Sequence, residues 1–95
     1  MKILAIEKSV EIINEEKLSR LLIDEAKKVW ELMQEGVIRE IYFSQKDHCA
    51  VLIMECENEI EAGKILNTLP LVRENLITFE IKILIPYNGF ERLFK

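Results

Sequence analysis

Four polar side chains in this sequence have the residue types that catalysis or ligand binding requires: Glu7, Arg39, Tyr42 and His48. Glu7 lies near the end of a predicted strand, where its carboxylate could act as a general base. The guanidinium of Arg39 could bind a carboxylate, and the hydroxyl of Tyr42 could donate a hydrogen bond to a developing oxyanion. His48 changes charge near neutral pH and could therefore carry a proton.

Each of these residues also has an interpretation without chemistry. Glu7 could be a solvated charge at the rim of a sheet, and Tyr42 a packed aromatic with a satisfied hydroxyl. Arg39 could pair with a neighbouring glutamate or a partner subunit, and His48 falls in a predicted hairpin loop. Regular strand alternation places Glu40 and Tyr42 on the face opposite to Arg39. A single strand therefore cannot bring these side chains together, and other elements must position them.

The composition is typical of one small globular domain. The chain has 95 residues, of which 49% are hydrophobic and 32% charged, and its net charge is −4. A nucleic-acid partner usually requires a basic surface, which this balance does not supply. No apolar run reaches the roughly 18 residues of a membrane span, and the N-terminus lacks the apolar core of a signal peptide. We expect a cytoplasmic protein that binds neither nucleic acid nor membrane.

The cysteines do not predict a disulfide or a metal site. Cys49 and Cys56 lie on one predicted strand, about 23 Å apart and on opposite faces. The chain has one histidine and no CxxC motif, so the ligand set of a zinc site is missing. We expect buried, reduced thiols and no metal.

Apolar periodicity and end signals predict the element order β-α-β-β-α-β. The first helix begins after the predicted N-cap Asn14 and closes at Gly36, and the second runs from a capping box at Asn58 to a stop at Pro70. The predicted strands cover residues 2–8, 37–44, 49–56 and 77–85. This order is that of the ferredoxin-like split βαβ fold, an α+β class with a four-stranded antiparallel sheet and two helices on one face. We predict one domain over residues 1–86 and a tail over residues 87–95.

The first predicted helix has an unusually wide apolar surface. One face repeats at three-to-four spacing and comprises Leu18, Leu22, Ala26, Val29 and Met33, with Ile23 and Trp30 as a second stripe. A wide core stripe is the simpler interpretation. A subunit contact or the wall of a pocket is the alternative.

The apolar residues of the predicted strands indicate that both faces of the sheet are covered. The strand over residues 49–56 is apolar at both parities, which favours helices on one face and a second sheet on the other. The last strand alternates as a half-buried edge strand does. Phe90, Leu93 and Phe94 follow at helical spacing, so we expect the tail to dock on this subunit or on a partner. Together these features predict a homodimer with face-to-face sheets, the dimeric α/β barrel.

Several of these features resemble the muconolactone isomerase family. They are the closing glycine Gly36, then Arg39 and Tyr42, and above all residues 66–87, LNTLPLVRENLITFEIKILIPY, with an LPL connector and a final strand that ends in proline. The resemblance covers essentially the whole chain, although the first strand matches only in pattern. It implies a small enzyme that moves a double bond within an unsaturated lactone by proton transfer beside a carbonyl. It also implies that no metal or organic cofactor takes part, and that dimers assemble into larger rings.

Under this resemblance, Glu7, Tyr42 and His48 are the candidate catalytic residues and Arg39 the candidate substrate-binding residue. The family tends to carry more basic groups on its first two strands than this chain does. A lactone with a carboxylate needs cationic recognition, so we expect a substrate other than muconolactone itself.

The alternative function is a non-catalytic module on the same barrel, which binds a small apolar ligand or mediates oligomeric assembly. The scarcity of polar residues on the core strands favours this alternative. A pocket between sheet and helices, lined by Glu7 or Arg39 with a further polar group, would favour the enzyme.

Overall fold

A computed structural model describes residues 1–10 and 15–94 of the chain. It confirms the predicted α+β fold, with strands and helices in the order expected and two additional short helices. The elements are β1 Lys2–Ser9, α1 Glu15–Gln34, β2 Ile38–Phe43, β3 Ala50–Glu55, α2 Glu59–Leu66, α3 Pro70–Arg73, β4 Ile77–Leu84, and a 3₁₀ helix over Gly89–Phe94. The predicted N-cap Asn14 lies outside the described residues.

The four strands form one antiparallel sheet in the order β2-β3-β1-β4. β4 is an edge strand, as its alternation predicted. The core lies between one face of the sheet and the helices, because alternate residues of each strand point to that side. Its fully buried members include Ile3, Ala5, Leu52, Met54 and Leu69. The opposite face, which we call the open face, carries none of the three described α-helices.

Two helix ends follow the predicted chemistry. Gly36 has φ +78°, a conformation that a residue without Cβ adopts at little cost, and it closes α1. At α2, the Oδ1 atom of Asn58 accepts a hydrogen bond from the backbone N–H of Glu61 at 2.8 Å. The carboxylate of Glu61 accepts in return from the N–H of Glu57 at 3.2 Å. Asn58 is thus confirmed as the N-cap of the predicted capping-box-like start, although Glu61 bonds to the N–H of the preceding residue Glu57 and not to that of Asn58 itself.

The prediction that Pro70 stops the second helix is wrong. α2 already ends at Leu66, with Asn67 as its C-cap, and Pro70 is the first residue of the separate helix α3. Proline suits this position because the first helical residue needs no N–H donor and its φ is already helical. Leu69, expected on the second helix, is the buried N-cap residue of α3.

The segments outside the core differ in exposure. Cys56 is buried and Cys49 half-buried, and both are free thiols. The 3₁₀ helix leaves Phe90 and Phe94 exposed, while the Tyr87 ring packs edge-to-face on Phe90 with centroids 4.9 Å apart. Docking of the tail therefore stays a prediction.

Within the described ranges, α1 and the other helices are too short or too polar to cross a bilayer.

Candidate functional site

A cavity of about 600 Å³ opens between α1 and the helix-covered face of the sheet. Its volume lies within the range of small-molecule sites. The α1 wall consists of the predicted apolar face, Leu18, Leu22, Ala26, Val29 and Met33. The face serves both as a core stripe and as a wall of the cavity, because Leu18, Val29 and Met33 also pack against the buried core. Toward the C-terminal end of α1, Leu32 is buried in the core instead.

The sheet and the LPL connector form the rest of the enclosure. Leu52, Leu69 and Ile77 are buried at its base, and Phe79 lies beside them on β4. The lining residues that remain exposed mark the mouth, between Trp30 on α1 and Phe43 at the end of β2. Apolar side chains thus surround most of the cavity, and the few polar groups among them are the candidates for chemistry or binding.

Glu7 is one of these polar groups. It lies on the same face of β1 as Ile3 and Ala5, because side chains alternate along a strand, and it therefore points towards the helices. The β1–β3 pairing ends at Ile6 and Val51, and Glu7 Oε1 accepts a hydrogen bond from the next backbone N–H, that of Ala50, at 2.9 Å. This bond holds the carboxyl group at the cavity wall.

Glu25 is a second carboxyl in the same cavity, and it was missed as a candidate. Its Oε1 accepts a hydrogen bond from the Leu71 backbone N–H at 3.0 Å. Leu71 follows Pro70 in the first turn of α3, where helix N–H groups have no partner within the helix. The side chain of Glu25 on α1 therefore caps α3. The LPL connector contributes to the site by supplying this donor.

The environment of Glu25 raises its pKa above the ordinary value of 4.5. Desolvation by the apolar surroundings is the largest cause, and the charge of Glu7 acts in the same direction. The Leu71 N–H and the guanidinium of Arg73 lower the pKa and offset part of this effect. A carboxyl group with a raised pKa can hold a proton at higher pH and act as a donor.

A sequence signal for Glu25 exists in the helical spacing. Leu18, Leu22, Glu25 and Val29 are separated by four, three and four residues, so Glu25 lies on the apolar face of α1. A charged residue at such a position is a functional-site signal if the face lines a pocket. Periodicity counted from apolar residues alone passes over it.

His48 reaches the mouth of the cavity from the β2–β3 loop. Its ring stacks on Phe43 with centroids 4.0 Å apart and an interplanar angle of 16°. The residue has φ +54°, a left-handed conformation that its turn requires. The structure thus brings His48 to the same cavity as Glu7 and Glu25, at its solvent-exposed end.

Arg39 and Tyr42 lie elsewhere. Arg39 sits at an irregularity of β2 between Ile38 and Glu40, and its Nε donates to the Gly36 carbonyl oxygen. Tyr42 is on the open face, where its hydroxyl donates to Glu40 Oε1 at 2.6 Å, and this bond is the main cause of its raised pKa. Among the described residues that line the cavity, neither is present.

The site therefore has groups suited to proton transfer, and no lysine or arginine of the described residues lines it for the recognition of a carboxylate. Its polar lining within the described chain consists of Glu7, Ser9, Glu25 and His48. No three acidic, histidine or cysteine side chains of residues 1–10 and 15–94 are grouped so that they could hold a metal ion. Two carboxyl groups with different environments can serve as base and acid in one reaction.

The fold and cavity define a ferredoxin-like α+β domain with an apolar site between α1 and the sheet. A solved structure with a similar fold is the crystal structure of muconolactone isomerase, with a TM-score of 0.74 and 17% sequence identity. The match covers 94% of this chain and 93% of that one, and at this identity it shows the fold alone. No protein-family model matches the chain, and no curated protein matches it by sequence.

Proposed function

We propose that this protein is a cofactor-free isomerase that transfers a proton within a small unsaturated lactone or a related metabolite of aromatic breakdown. The observation that supports the proposal best is the presence of two carboxyl groups, those of Glu7 and Glu25, in one apolar cavity. The fold similarity to muconolactone isomerase agrees with this class of reaction.

Glu7 is the proposed base. It removes a proton from the carbon beside the carbonyl group, and the released electron pair forms a carbon–carbon double bond. Glu25, in its protonated form, donates to the carbonyl oxygen as the enol develops. Glu7 then returns its proton to a different carbon of the conjugated system while Glu25 recovers its own. The double bond has moved, and both carboxyl groups are as they began.

The hydrogen bonds of the two carboxyl groups fit these roles. Each Oε1 is fixed by a backbone N–H, that of Ala50 for Glu7 and that of Leu71 for Glu25. The second oxygen of each group is left to exchange a proton with a substrate. His48 at the mouth can pass protons to solvent, while Arg39 and Tyr42 have no part in this mechanism.

The proposal is tested by proton exchange in D₂O. We expect the protein to accelerate double-bond migration and deuterium uptake in a panel of small unsaturated lactones, followed by NMR. Glu7→Gln removes the base and is expected to lower the rate about 10²- to 10⁴-fold. Asp24→Asn removes a carboxylate from the exposed side of the same helix α1 and should leave the rate unchanged.

The second candidate function is a non-catalytic module that binds a small apolar ligand. The mainly apolar lining of the cavity favours it. The two candidates separate in the same experiment. A lactone that stabilises the protein against heating without any gain of exchange over buffer supports the binding module and contradicts the isomerase.

A further inference from the structure

The charge of the cavity restricts what it can bind. Its ionisable lining groups are Glu7, Glu25 and His48, and no lysine or arginine from residues 1–10 or 15–94 lines it. Arg73 acts on Glu25 electrostatically from α3 but is not a lining residue. A bound carboxylate would therefore meet two carboxyl groups on the walls and no lysine or arginine from these described residues.

Like charges repel strongly in such surroundings. Apolar walls keep the local dielectric low, so a carboxylate loses its hydration and gains no compensating ion pair. An organic cation could pair with the carboxylates, but it would lose its hydration to the mainly apolar walls. A neutral carbonyl compound avoids both costs, because it has no charge to desolvate and its body can contact the apolar walls.

We infer that the cavity selects small uncharged carbonyl compounds and rejects carboxylates of the same shape. The choice of a carbonyl group rests on the proposed function; the discrimination by charge rests on the lining residues. The expected substrates are then unsaturated lactones and aromatic ketones without an acidic substituent. Lactones that carry a carboxylate are excluded.

Three planar probes of nearly equal size test the inference: acetophenone, benzoate and benzamidinium. They carry no charge, a negative charge and a positive charge at neutral pH. Dissociation constants for the full-length protein are measured by calorimetry or ligand-observed NMR. We expect acetophenone to bind at least about tenfold more tightly than benzoate, given the strength of like-charge repulsion at low dielectric. Tighter binding of benzoate or benzamidinium, or no binding of acetophenone, overturns the inference.

A charge-removal variant tests the cause. Glu7→Gln removes the ionised base, keeps an oxygen for the Ala50 N–H and should narrow the gap in affinity between acetophenone and benzoate several-fold. Asp24→Asn, with the same change in net charge on the solvent side of α1, should leave the gap as it is. An equal change in both variants would assign the selectivity to net charge and overturn the inference. Should Glu7→Gln fail to fold by circular dichroism, Glu25→Gln measured at a pH where Glu25 is ionised replaces it, and the wild-type comparison stands independently.

These measurements separate the inference from the proposed function. Acetophenone that binds selectively but does not exchange its methyl protons in D₂O supports the charge selectivity and contradicts the isomerase. Exchange that is catalysed equally well on lactones with and without a carboxylate supports the isomerase and contradicts the charge selectivity.

Discussion

A carboxyl group inside an apolar cavity is costly to ionise, and Glu25 shows what makes such a group tolerable. The Leu71 N–H and Arg73 compensate part of the desolvation, and Glu25 in return caps a helix that has no side-chain cap of its own. Glu7 could be assigned to the site from strand parity with Ile3 and Ala5. Glu25 could not be assigned to the site in this way. Its position on the apolar face of α1 indicates a functional role only if a cavity separates α1 from the sheet, and helical periodicity does not reveal such a cavity.

The raised pKa of Glu25 predicts that the free energy of unfolding depends on pH. The folded protein binds this proton more tightly than the unfolded chain does. The stabilising contribution is therefore complete below pH 4.5, the ordinary value, and is lost as the pH rises through the folded pKa. Glu25→Gln lacks this titration, so we expect its stability to increase relative to the wild type as the pH rises from about 4 to 7. Urea unfolding across this range measures the difference.

Charged and polar groups around Glu25 influence its ionisation, so the control variant must leave them unchanged. They are Glu7 from β1, Arg73 and the Leu71 N–H from α3, and His48 across the cavity. Asp24→Asn should follow the wild-type profile. A constant offset between wild type and Glu25→Gln at every pH would contradict a perturbed titration and leave only a packing effect.

At the scale of elements, the sequence predicted the four strands and the two long helices, because their periodicity is local. Two features depended on tertiary context. Pro70 begins a helix rather than ending one, since the same residue type suits both positions. An irregularity of β2 between Ile38 and Glu40 places Arg39 away from the cavity. This irregularity is a register shift in the pairing of β2 with β3, which the alternation of residues along β2 does not show.

The glycine inside α2 and the glycine that follows the end of α1 should respond oppositely to the same substitution. A Cβ at Gly63, inside α2, would meet no atom within 4 Å. Gly63→Ala should therefore stabilise the protein by up to about 1 kcal/mol, because alanine loses less backbone entropy in a helix. Gly36→Ala places a side chain at φ +78° and should cost about 1 kcal/mol. Urea unfolding at fixed pH measures both, and a loss of stability in Gly63→Ala would contradict the open packing around α2.

At the scale of the whole molecule, the open face is a sheet surface that none of the three α-helices covers. One row across the sheet holds Glu40, Ile53, Leu4 and Lys82, an apolar centre between opposite charges at the two edges. Such a row is self-complementary under a twofold axis, since the acidic edge of one copy can meet the basic edge of the other. We propose that a second copy covers this face, in keeping with the predicted sheet-to-sheet homodimer.

A charge placed at the centre of the open face tests that pairing. Ile6 is a half-buried neighbour of Val51 on this face, and Ile6→Lys should convert a dimer to a monomer in sedimentation equilibrium. Ile60→Lys introduces the same change at an exposed position of α2 and should leave the dimer intact. A monomeric wild type, or a dimer unaffected by Ile6→Lys, would argue against this interface.

The two backbone donors at the cavity wall have a spectroscopic consequence. The Ala50 N–H is bonded to Glu7 and the Leu71 N–H to Glu25, and each carboxyl group thus has its own amide reporter. An amide proton bonded to a carboxylate resonates downfield and moves upfield when the acid becomes protonated. We expect the Leu71 signal in a ¹⁵N–¹H titration to follow the ionisation of Glu25, and the Ala50 signal that of Glu7. The protonation of each carboxyl group can then be followed separately, without any substitution in the cavity.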